Sequence, residues 1–213
     1  MIDLHTHTIL SDGELLPAEL VRRAAVHGYT AIGITDHVDF SNLESVLRSL
    51  KRTKDIGKEW DIEVLIGVEP THMPPSKIEK IVTQAKKLGA ELIVVHGETL
   101  IEPVAPGTNS AATHLEDVDI LAHPGLISIE DVEAARDNDV CLEITSRRGH
   151  CLTNGHIARM ATKIGATLVV NTDAHSPADL IPKQRALEIA RGAGLDEKEA
   201  DQVINVNPQK FLK

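Results

Sequence analysis

The chain has 213 residues, of which 42% are apolar and only 2% aromatic, so its core must be built from aliphatic side chains. The net charge of −10 argues against a long electrostatic track for nucleic acid, although it leaves a short oligonucleotide or a single nucleotide open as a substrate. The chain has no run of 18 apolar residues that would predict a membrane helix, and no basic and apolar leader that would predict secretion. Its two cysteines cannot form a disulfide framework, so we expect a cytoplasmic protein.

Seven short runs of apolar and β-branched residues predict buried strands. Gly, Asp or Asn bounds these runs, which suits strands that end in tight turns. In chain order the runs are Met1–Leu4, Ala31–Thr35, Ile62–Val68, Leu92–Val95, Ile120–Ala122, Val140–Ile144 and Thr167–Val170.

Helical patterns separate most of these runs, and several begin at Ser or Pro and end just before Gly. They cover Pro17–His27, Leu43–Lys58, Ser76–Leu88, Ile129–Asp137, Asn154–Ile164, Pro182–Ala193 and Glu197–Val203. Strands that alternate with helices predict an α/β fold with parallel strands joined by right-handed crossovers. Such strands form either an open doubly wound sheet or a barrel. We expect one domain over residues 1–213.

A histidine or a carboxylate lies at or near the carboxyl end of every predicted strand. In chain order these residues are His5, His7 and Asp12, then Asp36 and His37, then Glu69, His96, His123 and Glu143, and finally Asp173 and His175. The carboxyl ends of the strands of a parallel barrel converge on one face, whereas an open sheet would spread them along a line. The pattern therefore favours a barrel with a metal site at the carboxyl ends of its strands.

The chain begins with a His-x-His sequence in which His5 and His7 are two residues apart. Alternation along a strand puts two such side chains on the same side, where they can bind one ion together. Clustered imidazoles and carboxylates without a cation would cost several kcal/mol in desolvation and repulsion, on the order of what burying unpaired polar groups costs. The excess of histidines, eleven in the chain, is therefore best explained by metal binding at the strand ends, whereas His27 and His114 are expected to be surface residues on helices.

The motifs H-T-H, S-D-G, T-D-H, G-V-E, V-V-H, A-H-P-G and N-T-D-A-H follow one another along the chain. In these motifs and in their order, the chain resembles the PHP (polymerase and histidinol phosphatase) family over essentially its whole length. The resemblance implies a distorted, TIM-like barrel of seven β/α units that holds two or three divalent ions. The mixture of nitrogen and oxygen donors suits zinc, manganese or iron.

The resemblance also implies how the ligands divide among the ions, with Glu69 bridging two of them. The three sets are His5, His7, Glu69 and Asp173; then Glu69, His96 and His123; and then Asp12, His37 and His175. It implies that Glu69, Asp173 and His175 are catalytic, with a hydroxide that bridges two metals as the nucleophile. Asp36 is expected to support His37 rather than to bind an ion. Glu143 could support a ligand, contact the substrate or be a plain buried carboxylate.

Loops should supply the contacts to the substrate. Arg147 and Arg148 follow the sixth predicted strand, and an arginine fork matches phosphate geometry, although two arginines in a loop are as often simply solvated. His72 could reach the substrate, and His150 and His156 could donate protons. Both cysteines, at positions 141 and 151, are expected to be structural.

Residues 97–110 show neither a helical nor a strand period, which predicts a lid over the barrel mouth. Its acidic residues Glu98 and Glu102 would favour a substrate with a cationic group beside its phosphate, as in histidinol phosphate.

These features predict a metal-dependent phosphoesterase that hydrolyses monoesters of a small metabolite, similar to histidinol phosphatase. The alternative is a phosphodiesterase or exonuclease that acts on nucleotides or short oligonucleotides. A metal-stabilised module without catalysis, and a hydrolase of amides or lactones, are further alternatives. A small phosphorylated substrate is the expected partner, with neither a nucleic acid nor a membrane, and the oligomeric state is open.

Overall fold

A computed structural model describes residues 1–212 and places eight strands in one sheet. They are β1 (Ile2–Thr6), β2 (Ala31–Ile34), β3 (His37–Val38), β4 (Glu63–Pro70), β5 (Leu92–His96), β6 (Ile120–Ala122), β7 (Cys141–Thr145) and β8 (Leu168–Asn171). The strand order is β1-β2-β4-β5-β6-β7-β8, and the short β3 pairs with the end of β4. These pairings are parallel.

The sheet curls into a nearly closed barrel because its first and last strands meet. The backbone N–H of Asp173 donates to the carbonyl of His5 at 3.0 Å. Beside this bond, the buried carboxylate of Asp3 accepts hydrogen bonds from the backbone N–H and the hydroxyl of Thr172, at 3.1 and 2.6 Å. A side chain thus closes part of the seam in place of a regular ladder. The predicted α/β barrel with a distorted wall is confirmed.

Helices surround the barrel. They are α1 (Pro17–Val26), α2 (Leu43–Lys51), α3 (Pro75–Lys87), α4 (Thr108–Thr113), α5 (Ile129–Asp137), α6 (Asn154–Ile164), α7 (Lys183–Gly192) and α8 (Glu197–Asp201). Their buried residues recur every three or four positions, as a helix packed on a sheet requires. In α3 these residues are Ile78, Ile81, Val82 and Ala85. No helix within residues 1–212 is long and apolar enough to cross a lipid bilayer.

Two aliphatic cores hold the barrel together. The larger core lies between the strands and the surrounding helices. The smaller core fills the barrel interior with residues such as Leu4, Leu92 and Ile120, and Phe211 and Leu212 of the carboxyl-terminal segment pack against it. The interior is therefore a packed core below the carboxyl ends of the strands. This leaves the face formed by those carboxyl ends as the place for a functional site.

The observed elements depart from the sequence-based expectation in three places. The predicted helix Leu43–Lys58 divides into α2 and a 3-10 helix at Lys54–Trp60, because the N–H groups of Arg52 and Thr53 bond to carbonyls only three residues back and end the α-helix. The strand β3 was not predicted. The segment 97–110, predicted to be irregular, is helical from Thr108 onward.

Candidate metal centre

Six of the proposed metal ligands lie together at the carboxyl end of the barrel and are almost fully shielded from solvent. They are His5, His7, Glu69, His96, His123 and Asp173. Each lies on or just beyond a strand of the barrel, as the pattern of strand ends predicts. The alternation argument also holds, because the rings of His5 and His7 lie on the same side with their centroids 5.0 Å apart.

The carboxylates of Glu69 and Asp173 form the middle of this cluster. Oε2 of Glu69 lies 3.3 Å from Nε2 of His5 and 3.5 Å from Nε2 of His7. Its other oxygen, Oε1, faces Nε2 of His123 at 3.8 Å. Oδ1 of Asp173 lies 3.2 Å from Nε2 of His7, and Oδ2 lies 3.5 Å from Nε2 of His123. The two oxygens of Glu69 therefore face different imidazoles, as a bridging ligand requires.

Several buried polar atoms of the cluster have no hydrogen-bond partner within residues 1–212. They are Nε2 of His5, both ring nitrogens of His7, both oxygens of Glu69, Nδ1 of His123 and Oδ1 of Asp173. A buried polar atom without a partner costs about 1–3 kcal/mol, so native proteins rarely leave such atoms together. A divalent cation would accept their lone pairs and remove the cost. The donor set therefore fits a metal ion of the zinc, manganese or iron type.

Four of the imidazoles, those of His5, His37, His96 and His175, bond to an oxygen through Nδ1. Nε2 of His5 faces Glu69, whereas in His37 it is Nδ1 that lies 2.7 Å from Oε2 of Glu69. Nδ1 of His5 donates to Oε1 of Glu143 at 2.8 Å. The same nitrogen of three other histidines donates to an oxygen: His96 to Gly97 O at 3.2 Å, His175 to Asp173 O at 2.9 Å, and His37 to Thr71 Oγ1 at 2.6 Å. Metal-binding histidines are commonly oriented by such bonds from their second nitrogen.

Glu143 supports the cluster from below. Besides its bond to His5, it accepts hydrogen bonds from Nδ2 of Asn171 at 2.9 Å and from the backbone N–H of His123 at 3.0 Å. Of the three roles considered for Glu143, these contacts match the support of a ligand. Asn171 was missed by sequence reasoning, although it immediately precedes the T-D-A-H motif and ends a strand.

The predicted third ligand set lies at the rim of the cluster. Oδ1 of Asp12 lies 3.2 Å from Nε2 of His175 and 3.6 Å from Nε2 of His37. The side chain of Asp12 is 57% exposed, whereas the two imidazoles are mostly covered. The ring of His7 stacks on that of His175 with centroids 4.1 Å apart. This rim set is therefore continuous with the buried cluster and is its most solvent-accessible part.

The other predicted sets are also brought together. Ligand atoms of His5, His7 and Glu69 all lie within 4.8 Å of one another, and so do those of Glu69, His96 and His123. Asp173 joins the first set through its contact with His7.

Charges within the cluster compensate one another. Burial disfavours the charged form of His5, but the carboxylates of Glu143, Glu69 and Asp173 outweigh it and raise the pKa of this imidazole well above its usual range. Burial also opposes the charged form of His37, yet Glu69 raises the pKa of that ring to about 9. Conversely, the two imidazoles overcome the effect of burial on Glu69 and hold its pKa well below the usual range. A divalent cation would replace the protons on these rings.

We expect the affinity for a divalent ion to fall as the pH is lowered. His5 and His37 have pKa values above neutrality, so a metal must displace about two protons from them at pH 7. The apparent dissociation constant should then rise by up to about a hundredfold between pH 8 and pH 7. Calorimetric titration with Mn²⁺ in two buffers of different ionisation enthalpy counts the released protons. A constant affinity without proton release would contradict this prediction.

Asp36 does not contact the ring of His37, contrary to expectation. Its carboxylate accepts hydrogen bonds from the backbone N–H and the hydroxyl of Thr8, both at 2.8 Å, and from the hydroxyl of Ser11 at 2.7 Å. Asp36 therefore holds the loop that carries Asp12. The residue that orients His37 is Thr71, which sequence reasoning missed.

The cluster opens through a cavity of about 170 Å³ into an outer cleft of about 490 Å³. Arg147 lines both spaces, with its Nε 3.6 Å from Oδ2 of Asp173. Arg148 is exposed and lines only the outer cleft. The structure thus places one arginine beside the cluster and the other at the entrance.

The remaining histidines named from sequence take different positions. His72 and His150 line the cavity, and Nδ1 of His150 bonds to the hydroxyl of Thr99 at 2.8 Å. His156 lies on α6 and donates to the carbonyl of Ile127 at 2.9 Å, a structural contact outside the cavity lining. His156 is therefore not placed as a proton donor.

Within residues 1–212, neither cysteine belongs to a metal-binding cluster. Burial inside the barrel raises the pKa of Cys141 to about 11, and Cys151 is half-buried. Both positions agree with the structural role expected from the sequence.

Comparison with known proteins gives one family and several relatives. The PHP domain family matches residues 3–87. An uncharacterized protein of Methanocaldococcus jannaschii is 51% identical over 99% of this chain and 98% of its own length. The Ribonuclease P protein component 3 of Methanosarcina barkeri is 27% identical over 99% of this chain and 87% of its own. A "Probable phosphatase" of Thermoanaerobacter pseudethanolicus is 29% identical over 99% of this chain and 92% of its own.

Among solved structures, a chain in the cryo-EM structure of archaeal Ribonuclease P with mature tRNA resembles this protein with a TM-score of 0.74. The match covers 98% of this chain and 89% of the other, at 17% sequence identity. At this level of identity, the likeness shows a shared barrel fold.

Proposed function

The chain belongs to the PHP domain family, and on that premise we propose that it is a metal-dependent hydrolase of phosphate monoesters of a small metabolite. The observation that carries the proposal is the buried cluster of unpaired imidazole and carboxylate atoms, which opens beside Arg147 into a cavity. The relatives named as probable phosphatases support a hydrolase that acts on phosphate esters.

The contacts in the cluster support the division of ligands that the family resemblance implies. His5, His7, Glu69 and Asp173 would hold one ion, Glu69, His96 and His123 a second, and Asp12, His37 and His175 a third. When bound, such ions polarise phosphoryl oxygens and make water a nucleophile near neutral pH.

The side chains around the cavity have separate tasks in this proposal. The guanidinium of Arg147 binds and orients the phosphate, because its fork matches two phosphate oxygens. Asp173, whose two oxygens face His7 and His123, would help to hold an ion and orient the attacking water beside it. His175, at the rim of the cluster, lines both the cavity and the outer cleft, where it would contact the leaving group. Glu69 fixes the spacing of the two buried ligand sets.

The dimensions of the opening favour a small substrate. A cavity of about 170 Å³ accepts a phosphate with little else, and the outer cleft of about 490 Å³ is in the range of small-molecule sites. Histidinol phosphate belongs to this size class. The net charge of −10 opposes a long nucleic acid on the surface around the cleft.

A second candidate is hydrolysis of phosphodiesters in nucleotides or short oligonucleotides. The similarity to Ribonuclease P protein component 3 favours this alternative, because those relatives match almost the whole chain. In that case a strand end would enter the outer cleft.

A substrate panel tests the proposal. Purified protein with Mn²⁺ or Zn²⁺ is given histidinol phosphate and other monoesters, cyclic nucleotides, short oligonucleotides and lactones. We expect inorganic phosphate from monoesters and no reaction without metal. Nucleotide products from the oligonucleotides would instead support the second candidate, and inertness towards every member of the panel would support a non-catalytic module.

A further inference from the structure

The loop between β5 and α4, residues 97–107, is hereafter called the mouth loop. Hydrogen bonds hold its two ends together, and these ends are called its neck. Oε1 of Glu98 accepts hydrogen bonds from the backbone N–H groups of Gly107 and Asn109, both at 2.9 Å. The side-chain oxygen of Asn109 in turn accepts from the N–H of Glu98 at 3.0 Å. Glu98 therefore holds the loop rather than facing the substrate, which corrects the expectation from sequence. Because its neck is fixed, the loop presents its tip at a defined place.

The neck also packs against the turn that follows β6. Gly125 in this turn has a φ of 63°, and a β-carbon there would collide with the Glu98 carbonyl. Only glycine combines this backbone conformation with such a close approach. At the other side of the loop, Ile101 covers Gly149. The mouth loop is thus seated between the turns that follow β6 and β7.

The tip of the mouth loop carries Glu102 into the cavity, where three imidazoles surround its carboxylate. Oε2 lies 3.1 Å from Nε2 of His96 and 3.2 Å from Nε2 of His72, and Oε1 lies 3.3 Å from Nε2 of His150. Hydrogen bonds from the imidazoles of His150 and His96 lower the pKa of Glu102 far below its usual range, so the carboxylate is charged. Sequence reasoning placed Glu102 on a lid but did not connect it to the metal ligands.

The contact with His96 is the informative one. Nδ1 of His96 bonds to the carbonyl of Gly97, so Nε2 is the nitrogen that would bind an ion shared with Glu69 and His123. The same nitrogen faces Glu102. Three protein ligands leave a tetrahedral ion with an open position, whereas a fourth closes it.

We propose that Glu102 is a removable fourth ligand of the ion held by Glu69, His96 and His123, and that an incoming phosphate takes its place. The inference rests on the metal centre of the proposed function and adds a resting state in which the chain itself covers that ion.

The surroundings of Glu102 make such an exchange feasible. Carboxylate and phosphate are both oxyanions, so the exchange keeps an anionic oxygen on the ion. A displaced Glu102 still has the imidazoles of His72 and His150 within reach. Its side chain is 34% exposed and lines both the cavity and the outer cleft.

Cobalt(II) binding tests the proposal without turnover. Glu102→Gln is compared with Glu133→Gln, which makes the same charge change at an exposed position on α5. Loss of one ligand should weaken cobalt binding about tenfold and alter the visible absorption bands of the bound ion in Glu102→Gln alone. Inorganic phosphate should bind the cobalt-loaded Glu102→Gln protein about tenfold more tightly, because it has no ligand to displace.

The outcomes distinguish a failure of the role proposed for Glu102 from a failure of the metal centre itself. If Glu102→Gln matches the wild type in cobalt affinity, absorption spectrum and phosphate affinity, Glu102 is only an ion-pair partner of the imidazoles and the proposal is overturned. If the wild-type protein takes up no cobalt at all, the metal centre fails and the proposal fails with it. Cobalt uptake by the wild type that is lost in Glu69→Gln, together with an unchanged Glu102→Gln, would overturn the role of Glu102 and leave the metal centre standing.

Discussion

Replacement of Glu69 by Gln is expected to lower phosphate release by at least about a thousandfold and to remove at least one bound ion. The two carboxylate oxygens face different imidazoles, with Oε2 3.3 Å from Nε2 of His5 and Oε1 3.8 Å from Nε2 of His123. An amide keeps one acceptor oxygen but turns an NH₂ group towards the other set of ligands. The bridge is therefore lost although the side-chain volume is nearly unchanged.

Metal analysis of the purified protein and a phosphate-release assay measure the two effects together. Glu79→Gln is the matched control, because this residue is exposed on α3 and the substitution makes the same change of charge. Far-ultraviolet circular dichroism would show that both variants are folded. Wild-type turnover and metal content in Glu69→Gln would refute the bridging role.

Replacement of Asp3 by Ala is expected to lower the free energy of unfolding by about 3 kcal/mol, because two buried donors lose their acceptor at about 1–3 kcal/mol each. These donors are the backbone N–H and the hydroxyl of Thr172, across the seam of the barrel. For a chain of this length the melting temperature should fall by about 6–12 °C. Thermal unfolding at about pH 5, below the raised pKa of Asp3, in the presence of a chelator measures the change without a contribution from bound metal.

Asp3→Asn separates the hydrogen bonds from the charge. Burial raises the pKa of Asp3 to about 6, so its contribution to stability is fully present below about pH 4 and declines as the pH rises through 6. The amide keeps an acceptor and cannot ionise, so Asp3→Asn should lose less stability at pH 7 and show a flatter dependence of stability on pH. Equal losses for the Ala and Asn variants would contradict the role of the hydrogen bonds.

A double-mutant cycle with Thr172→Val localises the effect to the seam. If Asp3 acts through Thr172, the double variant should be destabilised by less than the sum of the two single variants. Strict additivity would show that Asp3 stabilises the barrel through other contacts.

Within residues 1–212, seven of the eight strands were predictable because each is a short apolar run that must be buried, whereas the two-residue β3 was not predicted. The run Ile120–Ala122 is β6 without change, and Leu92–Val95 is extended by one residue to form β5. The site was predictable because parallel strands bring the residues that follow them to one face of the barrel. This is why the sequence assigns His5, His123 and Asp173, which lie far apart in the chain, to one cluster.

Other features depend on contacts between distant segments and carry no local signal. In the sequence, Asp3 is only a polar residue inside a strand. The closure of the barrel brings Thr172 to it. Glu102 reads as a charged loop residue, and only the fixed neck of the mouth loop places it beside His96. Asp36 reads as a partner of its neighbour His37, but the folded chain aims its carboxylate at Thr8.

The sequence by itself determined the strand order in outline, the face that carries the chemistry and the types of donor atom present there. These properties follow from hydrophobic periodicity and from the direction of each strand, which are local. The tertiary structure decided which nitrogen of an imidazole bonds to a neighbouring oxygen, which oxygen of Glu69 faces which imidazole, and which acidic residue only supports a loop. Those choices depend on distances of a few ångströms between segments that meet only when the barrel closes, because hydrogen bonds and metal coordination act over no greater range.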